Sequence, residues 1–314
     1  MLLYFLGTGA GKPSLRRNVT SLLLQLPEPN KDLWLFDCGE GTQHQMLASP
    51  FSLSKITNIF ITHLHGDHLF GLPGLLSSRS FHTDGPLAIF GPAGLKEFLE
   101  ISLRISGTHL SFPMEIHEVY DGAELDIGGF IVKVAELSHG LTSYGYRIEE
   151  PDRLGRLNVM KLQQLNIPAG PIYGQLKQGK TVVLDTGQVL DGNDFLEPAI
   201  PGRRIVILGD TQYCQAAINL SKKADVLVHE ATYEEALASK AREYNHATTV
   251  QAALVAQAAK VNKLVLTHLS SRYNPEDYEW LLKEAQSIFP NTELAVDHYQ
   301  LVIPRSIEEN KAEK

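Results

Sequence analysis

Residues 61–72 read Ile-Thr-His-Leu-His-Gly-Asp-His-Leu-Phe-Gly-Leu, so His63, His65, Asp67 and His68 place four metal-binding side chains within six residues. Imidazole nitrogens and carboxylate oxygens suit Zn²⁺, with Mn²⁺ or Fe as substitutes. The spacing also bears on geometry. His63 and His65, two apart in extended chain, point to the same side, whereas Asp67 and His68 lie past a turn and can face a second ion. One cluster rarely completes a site, because two ions need about six or seven protein ligands. Three further candidates each follow an apolar run: His139 after the strand ending at Leu137, Asp210 after Ile205–Leu208, and His268 after Leu264–Thr267. Open α/β sheets carry their sites just past such strands. The distribution this suggests puts His63, His65 and His139 on one ion and Asp67, His68 and His268 on the other, with Asp210 bridging. A water between two such ions loses a proton near neutral pH. Read alone, the cluster supports metal-dependent hydrolysis.

The elements that must position these residues alternate along the chain. Leu2–Leu6, Thr20–Leu26, Leu33–Phe36, Ile56–Ile61 and Gly129–Leu137 read as strands. Thr181–Leu184, Arg204–Leu208, Val226–Val228 and Leu264–Thr267 are short apolar runs that resemble buried strands. Helical patterns run over Leu95–Ser106, Ala231–Arg242, Thr249–Ala259 and Pro275–Phe289. Strands followed by helices in two similar halves predict a layered α/β sandwich, one domain over 1–314. Residues 149–179 break the rhythm with Pro151, Pro168, Pro171, Gly155, Gly170, Gly174 and Gly179, and read as a flexible inserted arm. Lys161, Lys177 and Lys180 lie in or beside it. The charged tail Ser306–Lys314 reads as frayed.

The whole chain narrows the class. Its 314 residues are 43% hydrophobic and 20% charged, as in a soluble globular protein. No apolar run approaches the ~20 residues that span a bilayer, and the N-terminus reads as a first strand, not a signal peptide. Two cysteines, Cys38 and Cys214, make no disulfide framework, which points to the cytoplasm. With a net charge of −8 the protein would meet nucleic acid only through local basic patches. Lys12, Arg16 and Arg17 form one such loop, able to hold phosphates by charge-assisted hydrogen bonds.

The Thr-His-x-His-x-Asp-His signature resembles that of the metallo-β-lactamase superfamily. Within it, essentially the full length is similar to the ribonuclease Z family. The cluster continues into Gly71-Leu72-Pro73-Gly74-Leu75, and Gly7-Thr8-Gly9 with Pro13, Arg16, Arg17 and Asn18 resembles the family's phosphate-holding loop. Gly170, Pro171, Gly174 and Lys177 match its Gly-Pro motif, at the base of an RNA-binding arm, and His229-Glu230-Ala231-Thr232 and His246-Ala247-Thr248 match two further motifs.

The resemblance implies a four-layer αβ/βα fold with a protruding arm and two zinc ions per chain. It implies cleavage of precursor tRNA just after the discriminator nucleotide, and a homodimer in which the arm of one subunit serves the active site of the other. It assigns Asp67 a share in activating water, alongside ligation. His246 is the best candidate acid for the leaving 3′-oxygen, and Glu230 could orient it. Two rivals stay open: a small-ester hydrolase such as a lactonase or glyoxalase-type thioesterase, and a metal-less RNA-binding scaffold.

Overall fold

The computed structural model describes residues 1–29 and 31–305; the tail expected to fray lies outside them. Contacts divide the chain into one unit of Met1–Ile148 and Arg204–Ile303 and a second of Glu149–Arg203, which Pro304 and Arg305 join.

The first unit is built on two seven-stranded sheets. One runs Gln300–Val302, Leu2–Gly7, Ser21–Gln25, Leu33–Phe36, Ile56–Phe60, Leu87–Gly91 and Met114–Glu118 in spatial order. The other runs Thr292–Leu294, Lys263–Thr267, Val226–Glu230, Arg204–Leu208, Tyr144–Glu149, Phe130–Glu136 and Glu124–Ile127. Alternation along each strand sorts its side chains. Leu3 and Phe5 join Trp34, Phe60, Val134, Tyr146 and Ile207 in a core between the sheets. Tyr4 and Leu6 face outward, with Leu35 and Ile59, onto helices Leu72–Arg79 and Leu95–Ser106. On the other outer face, Val206, Leu227 and Leu266 meet Ala252, Val255 and Ala256 of helix Thr249–Ala259. The layers are therefore helix, sheet, sheet, helix, as the sequence predicts.

Four strands of each sheet run parallel. Glu230 pairs in register with Thr267, and Ile207 with Val228, so three neighbouring strands end level with one another. Their carboxyl ends face the loops that carry the chemistry.

Three expectations need correction. Thr181–Val183 is no core strand; it pairs with Val189–Asp191 in a separate hairpin of the second unit. Ala231–Arg242 is not one helix: residues 231–234 are non-helical, with Tyr233 bridged to Thr248, Glu235–Leu237 is a 3₁₀ turn, and only Ala238–Glu243 is α-helical. Thr232 there spends its hydroxyl on Glu230 and His268 instead of on a helix. The insertion does not stop at 179 but runs to Arg203, with a core of its own made of Leu162, Ile167, Leu176, Val182, Leu190 and Phe195. No helix among the described residues is long and apolar enough to cross a membrane.

Candidate metal centre

The cluster starts where strand Ile56–Phe60 ends, and helix Gly66–Leu69 carries Asp67 and His68. Backbone bonds tie that helix to the end of the neighbouring strand: Cys38 N–H donates to His68 O (2.8 Å) and Gly71 N–H to Cys38 O (2.9 Å). The approach is so close that a Cβ on Gly71 would fall 2.0 Å from Gly39 O, and one on Gly39 2.3 Å from Asp67 O. Glycine is required at both for that reason.

The structure gathers every expected ligand into one place. Ligand atoms of His63, His65, His139 and Asp210 form one group within 4.8 Å of one another, and Asp67, His68 and His268 form another. Asp210 also groups with His246 and His268. Its Oδ2 lies 3.7 Å from His63 Nε2, 3.4 Å from His68 Nε2 and 3.3 Å from His268 Nε2, between the two groups.

The orientation of the rings tests whether a cation fits. Thr62 Oγ1 donates its proton to Asp37 Oδ2 (2.9 Å), so it accepts from His63 Nδ1 (3.0 Å). Thr232 Oγ1 likewise donates to Glu230 Oε2 (2.6 Å) and accepts from His268 Nδ1 (2.9 Å). His68 Nδ1 lies 2.7 Å from Asp37 Oδ2, and His139 Nδ1 lies 2.7 Å from the Asn245 carbonyl. Four rings thus keep a proton on Nδ1, so each would offer a lone pair on Nε2 to a bound cation. His65 is turned the other way, with Nδ1 inward, 3.0 Å from His63 Nε2 and 3.3 Å from His139 Nε2. Converging lone pairs and carboxylate oxygens repel one another and suit a divalent cation between them.

The titration behaviour has the same origin. Burial among other rings holds the His63 pKa well below its ordinary value. His68 is buried too, but Asp210 and Asp37 outweigh that and push it well above. Burial raises Asp67, yet the hydrogen bond from His268 and the charges of His68 and His268 more than offset it and hold its carboxyl down. Asp67 Oδ2 also accepts from the Gly11 N–H at 2.7 Å.

Beside the cluster stands a second constellation. Residues 245–248 join helix Ala238–Glu243 to helix Thr249–Ala259, whose start is fixed by a capping box of Thr248 and Gln251. There His246 Nδ1 lies 2.9 Å from Glu230 Oε1 and 3.7 Å from Asp210 Oδ2. Burial disfavours the charged ring, but the Glu230 carboxylate, its hydrogen bond and Asp210 prevail and lift the His246 pKa to about 9. Such a ring is a proton donor at neutral pH.

Several residues here escaped the sequence reading. Asp37, Thr62, Thr232 and Asn245 set the ring orientations, and only tertiary closeness reveals them. Asp37 and His268 also hold positive φ of 56° and 58°, uncommon for residues other than glycine.

Comparison with known proteins bears on what this centre is. A ribonuclease Z from Geobacillus kaustophilus is 52% identical over 97% of this chain and 100% of its own length. The chain belongs to the ribonuclease Z family. A ribonuclease BN from Proteus mirabilis is 51% identical over 95% of this chain and 98% of its own. The crystal structure of human tRNase Z, short form, superposes with a TM-score of 0.67 at 32% identity, covering 97% and 100% of the two chains. The metallo-β-lactamase fold protein YhfI of Bacillus subtilis, 18% identical with a TM-score of 0.68 over 96% and 98%, shares the fold. The family model of the anti-Pycsar protein Apyc1 matches residues 1–153.

In this ribonuclease Z family member the residues expected to meet phosphates divide. Lys12 and Arg16 are exposed. Arg17 is not: it is buried, donates to Thr8 Oγ1 and Ala295 O at 2.7 Å each and to Tyr278 OH at 2.9 Å, and lies over the Tyr278 ring. The expectation that Arg17 holds phosphate is therefore corrected; it pins the loop. Asn18 donates from its N–H to Asp297 Oδ2 (2.6 Å) and from Nδ2 to Glu40 O (2.9 Å). Lys161 is exposed, and its Nζ donates to Asp194 O at 2.7 Å within its own unit. Gly170 stands before helix Pro171–Lys177, where Pro171 begins the first turn and Lys177 is exposed. A Cβ on Gly170 or Gly174 would meet nothing within 4 Å, so packing inside the unit does not explain either glycine.

Proposed function

We propose that the protein is a metal-dependent endoribonuclease that removes 3′ trailers from precursor tRNA. It cuts after the discriminator nucleotide, leaving a 3′-hydroxyl on the tRNA and a 5′-phosphate on the trailer. The full-length likeness to ribonuclease Z carries this reading, because a small-ester hydrolase could use the same ligand set. His63, His65 and His139 would hold one zinc ion and Asp67, His68 and His268 a second, with Asp210 shared. Manganese or iron would be tolerated by the same nitrogen and oxygen donors.

Two ions held there would acidify a water and offset charge on the phosphoryl oxygens. Asp67, besides holding an ion, would take up a proton from the attacking water. The departing 3′-oxygen takes a proton from His246, which Glu230 keeps charged and aimed. Lys12 and Arg16 hold backbone phosphates, with Asn18 and Arg17 fixing their loop. The inserted unit, around Gly170, Pro171, Gly174 and Lys177, meets the RNA away from the scissile bond and reads its shape and backbone. The working form is a cytoplasmic homodimer in which each inserted unit serves the partner's active site.

Incubation with a 3′-extended precursor tRNA, followed by mapping of both new ends, tests the reading. A single cut after the discriminator nucleotide is expected. An uncut precursor, or ends scattered elsewhere, would refute it.

A further inference from the structure

The inserted unit leaves and rejoins the chain through a two-legged neck. Glu150 N–H donates to Arg203 O (2.9 Å), Arg153 and Ile200 exchange bonds of 2.9 and 2.8 Å, and Glu197 N–H donates to Arg156 O (2.8 Å). The legs are pressed together, for a Cβ on Gly202 would fall 1.7 Å from Glu150 O.

A buried charge cluster closes the neck. Arg203 reaches Glu150 with Nε (2.7 Å to Oε2), Nη2 (2.8 Å to Oε1) and its backbone N–H (3.2 Å to Oε2). A third piece of chain then enters. Arg305, just past the last strand, places Nη2 at 2.6 Å from Glu150 Oε1 and donates from the same atom to Pro151 O at 3.1 Å. Glu150, Arg203 and Arg305 are 6%, 7% and 6% exposed, so this is no surface ion pair screened by water. Removing one partner from a buried ion cluster is strongly unfavourable. Glu150, Arg203 and Arg305 are not among the residues that could hold a metal.

We propose that Arg305 is a positioning residue for the precursor RNA: by gripping Glu150 and Pro151 it keeps the neck of the inserted unit ordered. The chain's last described residues then belong to the RNA-binding apparatus. This rests on the reading that the inserted unit holds RNA. A neck ordered in advance spares RNA binding the entropy of ordering it, so the effect falls on affinity and not on the chemical step.

Arg305→Met keeps the length of the stem and removes the charge. It should raise KM for a precursor tRNA about five- to tenfold with kcat nearly unchanged, and leave hydrolysis of bis(p-nitrophenyl) phosphate within about twofold. Because one nitrogen makes both contacts, Arg305→Lys should restore most of the affinity. An unchanged KM, an equal fall on both substrates, or a lysine variant no better than methionine would overturn the proposal. Replacement of residues 151–202 by a short linker separates the two readings. If precursor cleavage survives that deletion, the RNA-binding assignment fails, and limited proteolysis decides the clasp by itself. Faster cutting between Glu149 and Arg203 in the methionine variant supports the clasp, and an unchanged rate overturns it.

Discussion

The metal centre and the neck of the inserted unit both gather charge inside the protein, and they do so in opposite ways. In the centre, five imidazoles converge with the carboxylates of Asp67 and Asp210, and four of the rings are held from behind by a hydroxyl, carbonyl or carboxylate. That arrangement is built around an ion. In the neck, two guanidinium groups surround one carboxylate, so the charges are met by chain. The first kind of cluster holds something that reacts and the second holds chain. Changes in the centre should therefore alter the rate of chemistry, and changes in the inserted unit the affinity for RNA.

The largest expected effect lies in the centre. Asp67→Ala, or removal of metal by a chelator, should lower kcat by on the order of 10³ on both precursor tRNA and a small phosphodiester. RNA binding in a gel-shift assay should weaken by no more than about threefold. Equal losses in binding and turnover would erase the contrast between the regions. Next comes replacement of residues 151–202 by a short linker. It should cut kcat/KM for precursor tRNA by on the order of 10², yet spare the small substrate, because remote binding energy is lost. Comparable losses on both substrates would show that the inserted unit supports the fold instead of the RNA.

The smallest effect is one of pH. Burial alone would raise the Glu150 pKa, but hydrogen bonds from Arg203 and Arg305 prevail and hold it at about 2. A depressed carboxyl contributes stability that is present above its unfolded value of about 4.3 and is lost as pH falls toward the folded value. Susceptibility of the neck to an acid-active protease should rise between pH ~4.5 and ~2, and Glu150→Gln should flatten that rise. A wild-type neck indifferent to acid would remove the clasp's electrostatic basis.

What the sequence made legible follows from how local each feature is. His63, His65, Asp67 and His68 lie within six residues, and His139, Asp210 and His268 each follow an apolar run, so the cluster that the structure gathers could be read without coordinates. The residues behind the rings could not. Asp37 is 31 positions from His68, and nothing in its neighbourhood announces the hydrogen bond between them. Arg17 was misread because it adjoins Arg16; the turn of the chain sends one side chain outward and the other beneath Tyr278. The end of the insertion was misplaced because Thr181–Val183 has the composition of a core strand and finds its partner in a hairpin of its own unit. A layered α/β sandwich could be read from strand runs followed by helical patterns, whereas the four-layer order came from the family resemblance; strand Leu2–Gly7, apolar on both faces, fits a sheet covered on both sides.

The inserted unit lies between strands Tyr144–Glu149 and Arg204–Leu208, which are neighbours in one sheet. Neighbouring strands stand about 4.8 Å apart, a gap that a hairpin turn closes as readily as fifty residues do. The sheet is therefore indifferent to what is plugged in there, and loop closure itself adds little with length. That junction is a point of insertion: the first unit can keep its fold while the insertion is shortened, exchanged or lost, and on the proposed reading the choice of substrate goes with it.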